Sequence, residues 1–209
     1  PNDRIVMFVG RLVVEKGVDT LVEAMPEVLA QHPNTKLVIA GGGDYARFAA
    51  RAAELGVRGR VVFTGFLPEA DLPKLYAVSD VAVFPSYYEP FGIVALEAMA
   101  AGVPVVTSDV GGFREVVRHL ETGLHTWAGN PSSLAWGIQQ VLGNTALASK
   151  LRKNGPREAK ARYGWDRIAR QTQAVYEEVL AGEVAPVTAP EGPALHPRYL
   201  TGESRPSRS

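Results

Sequence analysis

The sequence has no cysteine among its 209 residues. Disulfides and thiolate chemistry are thereby excluded, and a cytoplasmic location is expected. No apolar run approaches the ~20 residues that span a bilayer, and no signal-peptide pattern stands at the start, so no transmembrane segment is expected. Neither charge is in excess: Lys+Arg and Asp+Glu number 22 each. No global field therefore directs the chain to nucleic acid or to a membrane surface, and any anion must be held by local groups. Also missing are Asp-x-Asp, a His/Asp/Glu cluster of metal-ligand type, and a Ser-His-Asp arrangement that spacing supports. Neither a metal nor a cofactor is expected. An initial Met is absent too, and a strand-like run follows Pro1 almost at once, which reads as a piece of a longer protein.

What is present is alternation. The 46% of hydrophobic residues can supply the core of one domain of ordinary size. Apolar runs at 5–9, 37–40, 61–64, 81–84 and 103–107 read as strands, with a short sixth at 124–127. Helices are expected between them at about 18–31, 45–55, 69–79 and 91–101. Beyond the sixth strand, Asn130-Pro131 is a cap and first-turn pair for a helix to about 142, and two more helices follow at about 147–163 and 165–180. Continuous apolar runs mark strands buried on both faces. Regular strand–helix alternation predicts a parallel sheet with helices on both sides. The expected fold is α/β, a Rossmann-like doubly wound sheet over 1–181. From 182 to 209 Pro, Gly, Ser, Thr and Arg dominate without periodicity, and a disordered tail is expected.

The chemistry gathers where strands end. Glu89 and Glu97 lie eight positions apart at a strand-to-helix junction, with Gly92 between them. In open α/β sheets such junctions face the ligand crevice, and amides at a helix N-terminus favour an anion. The carboxylates can then accept hydrogen bonds from hydroxyls on whatever the phosphate carries, and a sugar nucleotide satisfies both halves. Leu96, Ala98 and Met99 surround Glu97, which suggests a partly buried carboxylate in need of partners. The loop after the first strand carries Arg11 and Lys16, a fork and a point charge that can clamp a diphosphate. Each close contact has a gross Coulomb energy of about 4 kcal/mol at a surface-like dielectric, before desolvation.

Blander readings stand beside these. Arg11 and Lys16 alone read as solvated cations with Glu15 as a surface partner, and Glu97 as ordinary helix composition. Gly111-Gly112 can present amides to an anion, with Glu115 at the same mouth, or can form a flexible turn. Gly41-Gly42-Gly43 either approaches the ligand or only turns the chain. The first loop lacks the second and third glycines of G-x-G-x-x-G, which argues against a nicotinamide or flavin site. His119 and His125 read as structural.

Taken in order and spacing, these residues resemble the retaining group 1 glycosyltransferases, which include glycogen synthases. The matching parts are Gly10-Arg11-Leu12, Glu15-Lys16-Gly17, Pro85-Ser86, the run from Glu89 to Glu97, Ala101-Gly102-Val103-Pro104, Gly111-Gly112 with Glu115, and Thr122-Gly123-Leu124. The similarity covers about 5–180. It implies the GT-B fold, two Rossmann-like domains facing across a cleft, with this chain as the C-terminal, donor-binding one and the N-terminal acceptor domain missing. It implies metal-independent hexosyl transfer from a nucleotide sugar with retention. It implies too that the protein supplies no obvious covalent nucleophile and that same-face attack is assisted by stabilising the leaving diphosphate. By the same resemblance Arg11 and Lys16 hold the diphosphate, Glu97 the ribose and Glu89 the donor sugar. Glu89, Lys16 and Arg11 are the catalytic candidates. Arg11, Lys16, Gly92, Ile93, Glu97, Gly111 and Gly112 are the substrate-binding ones. An ADP- or UDP-hexose is the expected donor and a glucan the expected acceptor, reached through the missing domain. The chain alone is expected to bind donor but to turn over poorly. A metal-independent nucleotide-sugar epimerase and a non-catalytic nucleotide-binding module remain open as alternatives.

Overall fold

The structure, a computed structural model, describes residues 3–182. Six strands form one sheet: β1 (Arg4–Val9), β2 (Thr35–Ala40), β3 (Val61–Gly65), β4 (Val81–Phe84), β5 (Val105–Ser108) and β6 (Gly123–Thr126). Their spatial order is β3-β2-β1-β4-β5-β6, and every neighbouring pair is parallel. The crossovers carry α1 (Val18–Gln31), α2 (Ala46–Glu54), α3 (Leu72–Val78), α4 (Ile93–Ala100) and α5 (Gly111–Val116), and α6 (Pro131–Gly143) and α7 (Thr145–Tyr163) follow β6. This is the α/β, Rossmann-like, doubly wound sheet that alternation predicts. The first compact unit is Pro1–Gly164, and a second begins at Trp165 with α8 (Trp165–Leu180). The expected tail lies, past Gly182, outside the described residues. Among the described residues no helix is long and apolar enough to cross a membrane.

Apolar spacing explains how these elements stack. The inner strands β4 and β5 are buried along their whole length, as parallel strands covered on both faces must be. α1 turns Val18, Leu21, Val22, Met25 and Val28 inward. Each such side chain contributes roughly 1.5–3 kcal/mol when removed from water. α1 is joined to α6 by polar ties: Gln139 Nε2 donates to the Glu27 carbonyl at 2.8 Å and Ser132 Oγ to Glu27 Oε1 at 2.5 Å.

Element ends differ from expectation where glycine, proline and caps intervene. α3 starts at Leu72 rather than 69, because Pro73 occupies its first turn, where a missing N–H costs nothing. α4 starts at Ile93 because Gly92, with φ +94°, caps it in a left-handed conformation. α7 starts earlier than expected because the Asn144 side chain accepts from the Leu147 amide at 3.0 Å. Asn130 caps α6 as expected, accepting from Ser133 N at 2.8 Å. β6 ends at Thr126, so Trp127 belongs to the loop that follows.

One glycine couples the two central strand ends. Gly17 has φ +66°, and a Cβ there would stand 2.0 Å from the Pro85 carbonyl oxygen. It lets the segment after β1 lie directly on the segment after β4. Gly17→Ala is expected to destabilise the protein by at least about 2 kcal/mol, from left-handed strain plus overlap with backbone. Urea unfolding measures this, and an unchanged midpoint would show that the two loops do not need this approach.

Candidate functional site

The strand order contains one reversal. The chain builds β1, β2 and β3 outward, then returns to the free side of β1 for β4. The connections after β1 and β4 part at this switch point, the place where α/β sheets form the crevice that takes ligands. Here the two loops are also stitched together: the Tyr87 amide donates to the Glu15 carbonyl at 2.8 Å. Tyr87 Oη and Thr20 Oγ1 are 3.0 Å apart, which ties the second loop to α1.

Lys16 and Glu89 meet across this junction, 2.7 Å from Nζ to Oε2. Their side chains are only 22% and 9% exposed, so the pair is far less screened than a surface ion pair. Glu89 is fixed further. Its Oε1 accepts from the Gly92 amide at 3.2 Å, and its carbonyl accepts from the Gly112 amide at 2.8 Å. A buried carboxylate in this position is satisfied by one cation and one amide, as burial requires.

The other candidates are placed differently. Arg11 is exposed, and among the described residues it forms no ion pair. Glu97 is exposed, not enclosed by its apolar neighbours, because α4 turns Ala95, Ala98 and Met99 inward and leaves Glu97 on the opposite side. It accepts from Tyr76 Oη at 3.2 Å. The Gly92 and Gly112 amides, expected to face a ligand, are both taken by Glu89. Gly112 instead allows close packing: a Cβ there would sit 2.4 Å from the Phe91 backbone. The Ile93 amide, in the first turn of α4, has no intrahelical acceptor, and like the Val94 amide it donates to no group among the described residues. Glu115 is exposed, and its carbonyl accepts from Tyr163 Oη at 3.0 Å.

Sequence reasoning missed Tyr76, the buried residue of the short helix α3. A tyrosine among leucines on a short helix is the available signal, since a buried phenol needs a partner for its hydroxyl. Burial, and then the Glu97 charge, push Tyr76 well above the ordinary tyrosine value. Tyr76 therefore donates to Glu97 throughout the neutral range. The two histidines are engaged structurally. His125 Nε2 lies 2.8 Å from the Val117 carbonyl, to which it must donate, so Nδ1 accepts from Thr107 Oγ1 at 3.1 Å. His119 Nδ1 accepts from the His125 amide at 2.9 Å.

The comparisons agree with this architecture. The family model for glycosyl transferases group 1 matches residues 1–158, and the chain belongs to that family. It is 46% identical over 177 residues to an uncharacterized glycosyltransferase of Methanocaldococcus jannaschii, covering 84% of this chain and 45% of the relative. It is 37% identical over 181 residues to the glycogen synthase of Mycobacterium tuberculosis, covering 86% and 44%. Among solved structures it resembles an Anabaena protein, HepE, in complex with UDP-glucose, with a TM-score of 0.77, 30% identity and coverage of 85% and 49%. In fold alone it resembles the C-terminal domain of a group 1 family glycosyl transferase from Francisella tularensis, with a TM-score of 0.73, 23% identity and coverage of 79% and 88%. The fold is thus one Rossmann-like domain of the GT-B glycosyltransferases, and the chain spans about half the length of the curated relatives it matches.

The Tyr76–Glu97 contact has a pH signature. Unfolded tyrosine titrates near about 10, and the folded value is higher. Above that pH the folded form holds a proton that the unfolded form loses, so stability declines as pH rises. Below it the contribution is fully present. Tyr76→Phe is expected to flatten the alkaline loss of stability while lowering stability at neutral pH by about 1.5 kcal/mol. Thermal melts from neutral to strongly alkaline pH test this, and parallel curves for both proteins would refute it.

Proposed function

We propose that this chain is the donor-binding half of a retaining glycosyltransferase that transfers a hexosyl group from a nucleotide diphosphate sugar. The observation that carries the reading is the pairing of Lys16 with the buried Glu89 at the switch point, with the Ile93 amide at the head of α4 and Glu97 further along the same helix. Arg11 and Lys16 meet the diphosphate, Arg11 as the uncommitted fork. The Ile93 amide adds a donor at the head of α4, where anions are favoured. Glu97 accepts from the ribose hydroxyls with the oxygen that Tyr76 leaves open. Glu89 accepts from hydroxyls of the donor sugar, held in place by Gly92 and by the close seat of Gly111 and Gly112.

In this reading the chemistry is leaving-group stabilisation. Charge that develops on the departing diphosphate is met by Arg11, Lys16 and helix amides, fixed in advance by the fold. The acceptor attacks from the face that the diphosphate leaves, giving retention. The acceptor-binding half lies outside this chain, so donor binding without efficient turnover is proposed for the chain alone. The glycogen synthase relative and the UDP-glucose complex of HepE support a UDP- or ADP-hexose donor and a glucan acceptor.

Calorimetric titration with UDP-glucose, ADP-glucose, UDP and uridine tests the reading. Arg11→Ala is expected to weaken the diphosphates far more than the nucleoside. Glu97→Ala is expected to cost about 1.5–3 kcal/mol of donor affinity through lost charge-assisted hydrogen bonds. Equal effects of Arg11→Ala on UDP and uridine would remove Arg11 from the phosphate site. Indifference to the attached sugar would favour a non-catalytic nucleotide-binding module. Conversion of the donor sugar without any acceptor would favour an epimerase.

A further inference from the structure

Two of the three tryptophans of the chain stand exposed at the far edge of the sheet from β3. Trp127 is 72% and Trp136 43% exposed. Both line a cavity of about 510 Å³, together with Asp109, His119 and Ser133. This volume is in the usual range for small-ligand sites, about 300–1,000 Å³. The fold positions each wall. Asp109 follows β5, Trp127 follows β6, and Ser133 and Trp136 stand on the first two turns of α6. None of Arg11, Lys16, Glu89 and Glu97 lines the cavity. In the sheet β6 is two strands from β4, roughly 10 Å at the ordinary strand spacing.

Of the polar residues lining the cavity, His125 is engaged through both ring nitrogens and Thr126 Oγ1 donates to the Thr107 carbonyl at 3.1 Å; three others are left to meet a guest. Ser133 Oγ accepts from the Trp127 amide at 3.0 Å, which leaves its hydroxyl proton to donate. His119 Nδ1 already accepts from the His125 amide, so neutral His119 carries its proton on Nε2 and is a donor. Asp109 receives Arg114 Nε at 2.8 Å and Nη2 at 3.3 Å, and a carboxylate retains acceptor sites beyond those two. Two donors, one acceptor and two indole surfaces therefore share one cavity. No Lys or Arg lines it, and Arg114 is already neutralised by Asp109, so a phosphate would find no counter-charge.

We propose that this cavity binds a neutral sugar unit of an oligosaccharide, as a second carbohydrate site separate from the switch-point crevice. The apolar face of a pyranose ring rests on indole. Its hydroxyls, each both donor and acceptor, match a donor–acceptor set such as Ser133, His119 and Asp109. The backbone agrees with a purpose for this wall. Leu120, next to His119, is held at φ +61°, the one positive φ outside glycine among the described residues. Such strain persists where surrounding structure over-determines it. The loop that carries Trp127 also reaches the crevice loop, since a Cβ on Gly129 would stand 2.9 Å from the Tyr87 ring. A glycan held at the tryptophans would thus lie beside, not within, the proposed donor site.

The test uses tryptophan fluorescence and calorimetry on the full chain with four neutral probes: maltohexaose, mannohexaose, chitohexaose and a galacto-hexaose. At least one is expected to bind at millimolar concentration. Trp127→Ala and Trp136→Ala are each expected to weaken that binding by about tenfold, with Asp109→Asn as a second variant that keeps the wall's shape. Thermal melts confirm that the variants fold, as their exposure allows. Binding is expected to persist in saturating UDP and in Glu89→Gln, which separates this site from the donor crevice. If no probe binds, if both tryptophan variants bind like the parent, or if UDP displaces the sugar, the proposal fails. UDP that does not bind at all would overturn the donor reading and leave this one standing.

Discussion

The return of the chain to the free side of β1 is the constraint on which the rest depends. Had β4 been added beyond β3, the loops after β1 and β4 would be separated by two strands. Lys16 and Glu89, distant in the chain, would then stay apart. Because β1 and β4 are neighbours, the two loops can touch, and Gly17 removes the last obstacle by giving up its side chain. The site is thus a product of topology first and residue chemistry second, which is how one sheet architecture hosts unrelated activities.

Burial then sorts the charged groups into two kinds. Lys16 and Glu89 are largely withdrawn from water and satisfy each other, whereas Arg11 and Glu97 face solvent. A buried pair contributes little net stability once desolvation is counted, but removing one partner alone is costly. The two exposed groups carry no such penalty. The same division runs through the tyrosines: the buried hydroxyl of Tyr76 steadies Glu97, while Tyr87 links α1 to the crevice loop.

Much of the fold was legible in the sequence, because each strand is an apolar run closed by a turn residue and each helix shows one apolar face. The helix over 18–31 was readable to the residue. Strand order was not, since nothing local distinguishes β4 pairing with β1 from β4 pairing with β3. The two catalytic-candidate loops were legible as motifs, but their hydrogen bonds were not. Gly92 and Gly112 read as amide donors for a ligand. In the folded chain their amides serve Glu89, a contact no spacing rule reveals. Glu97 read as enclosed because its sequence neighbours are apolar, yet on a helix the neighbours that matter lie three and four positions away. Tyr76 was overlooked because an apolar-face pattern counts a ring and ignores its hydroxyl.

Glu89 is held at three points: its carbonyl by α5, one carboxylate oxygen by the head of α4, and the other by Lys16. Glu97 has a single tether. A guest lying along α4 would therefore meet an unyielding gauge at one end and a compliant one at the other. On the proposed reading, selectivity would be concentrated at the rigid end, where a hydroxyl of the wrong configuration could not be accommodated by moving the protein. Drift in specificity within this scaffold should then arise less from changing Glu89 itself than from loosening what clamps it.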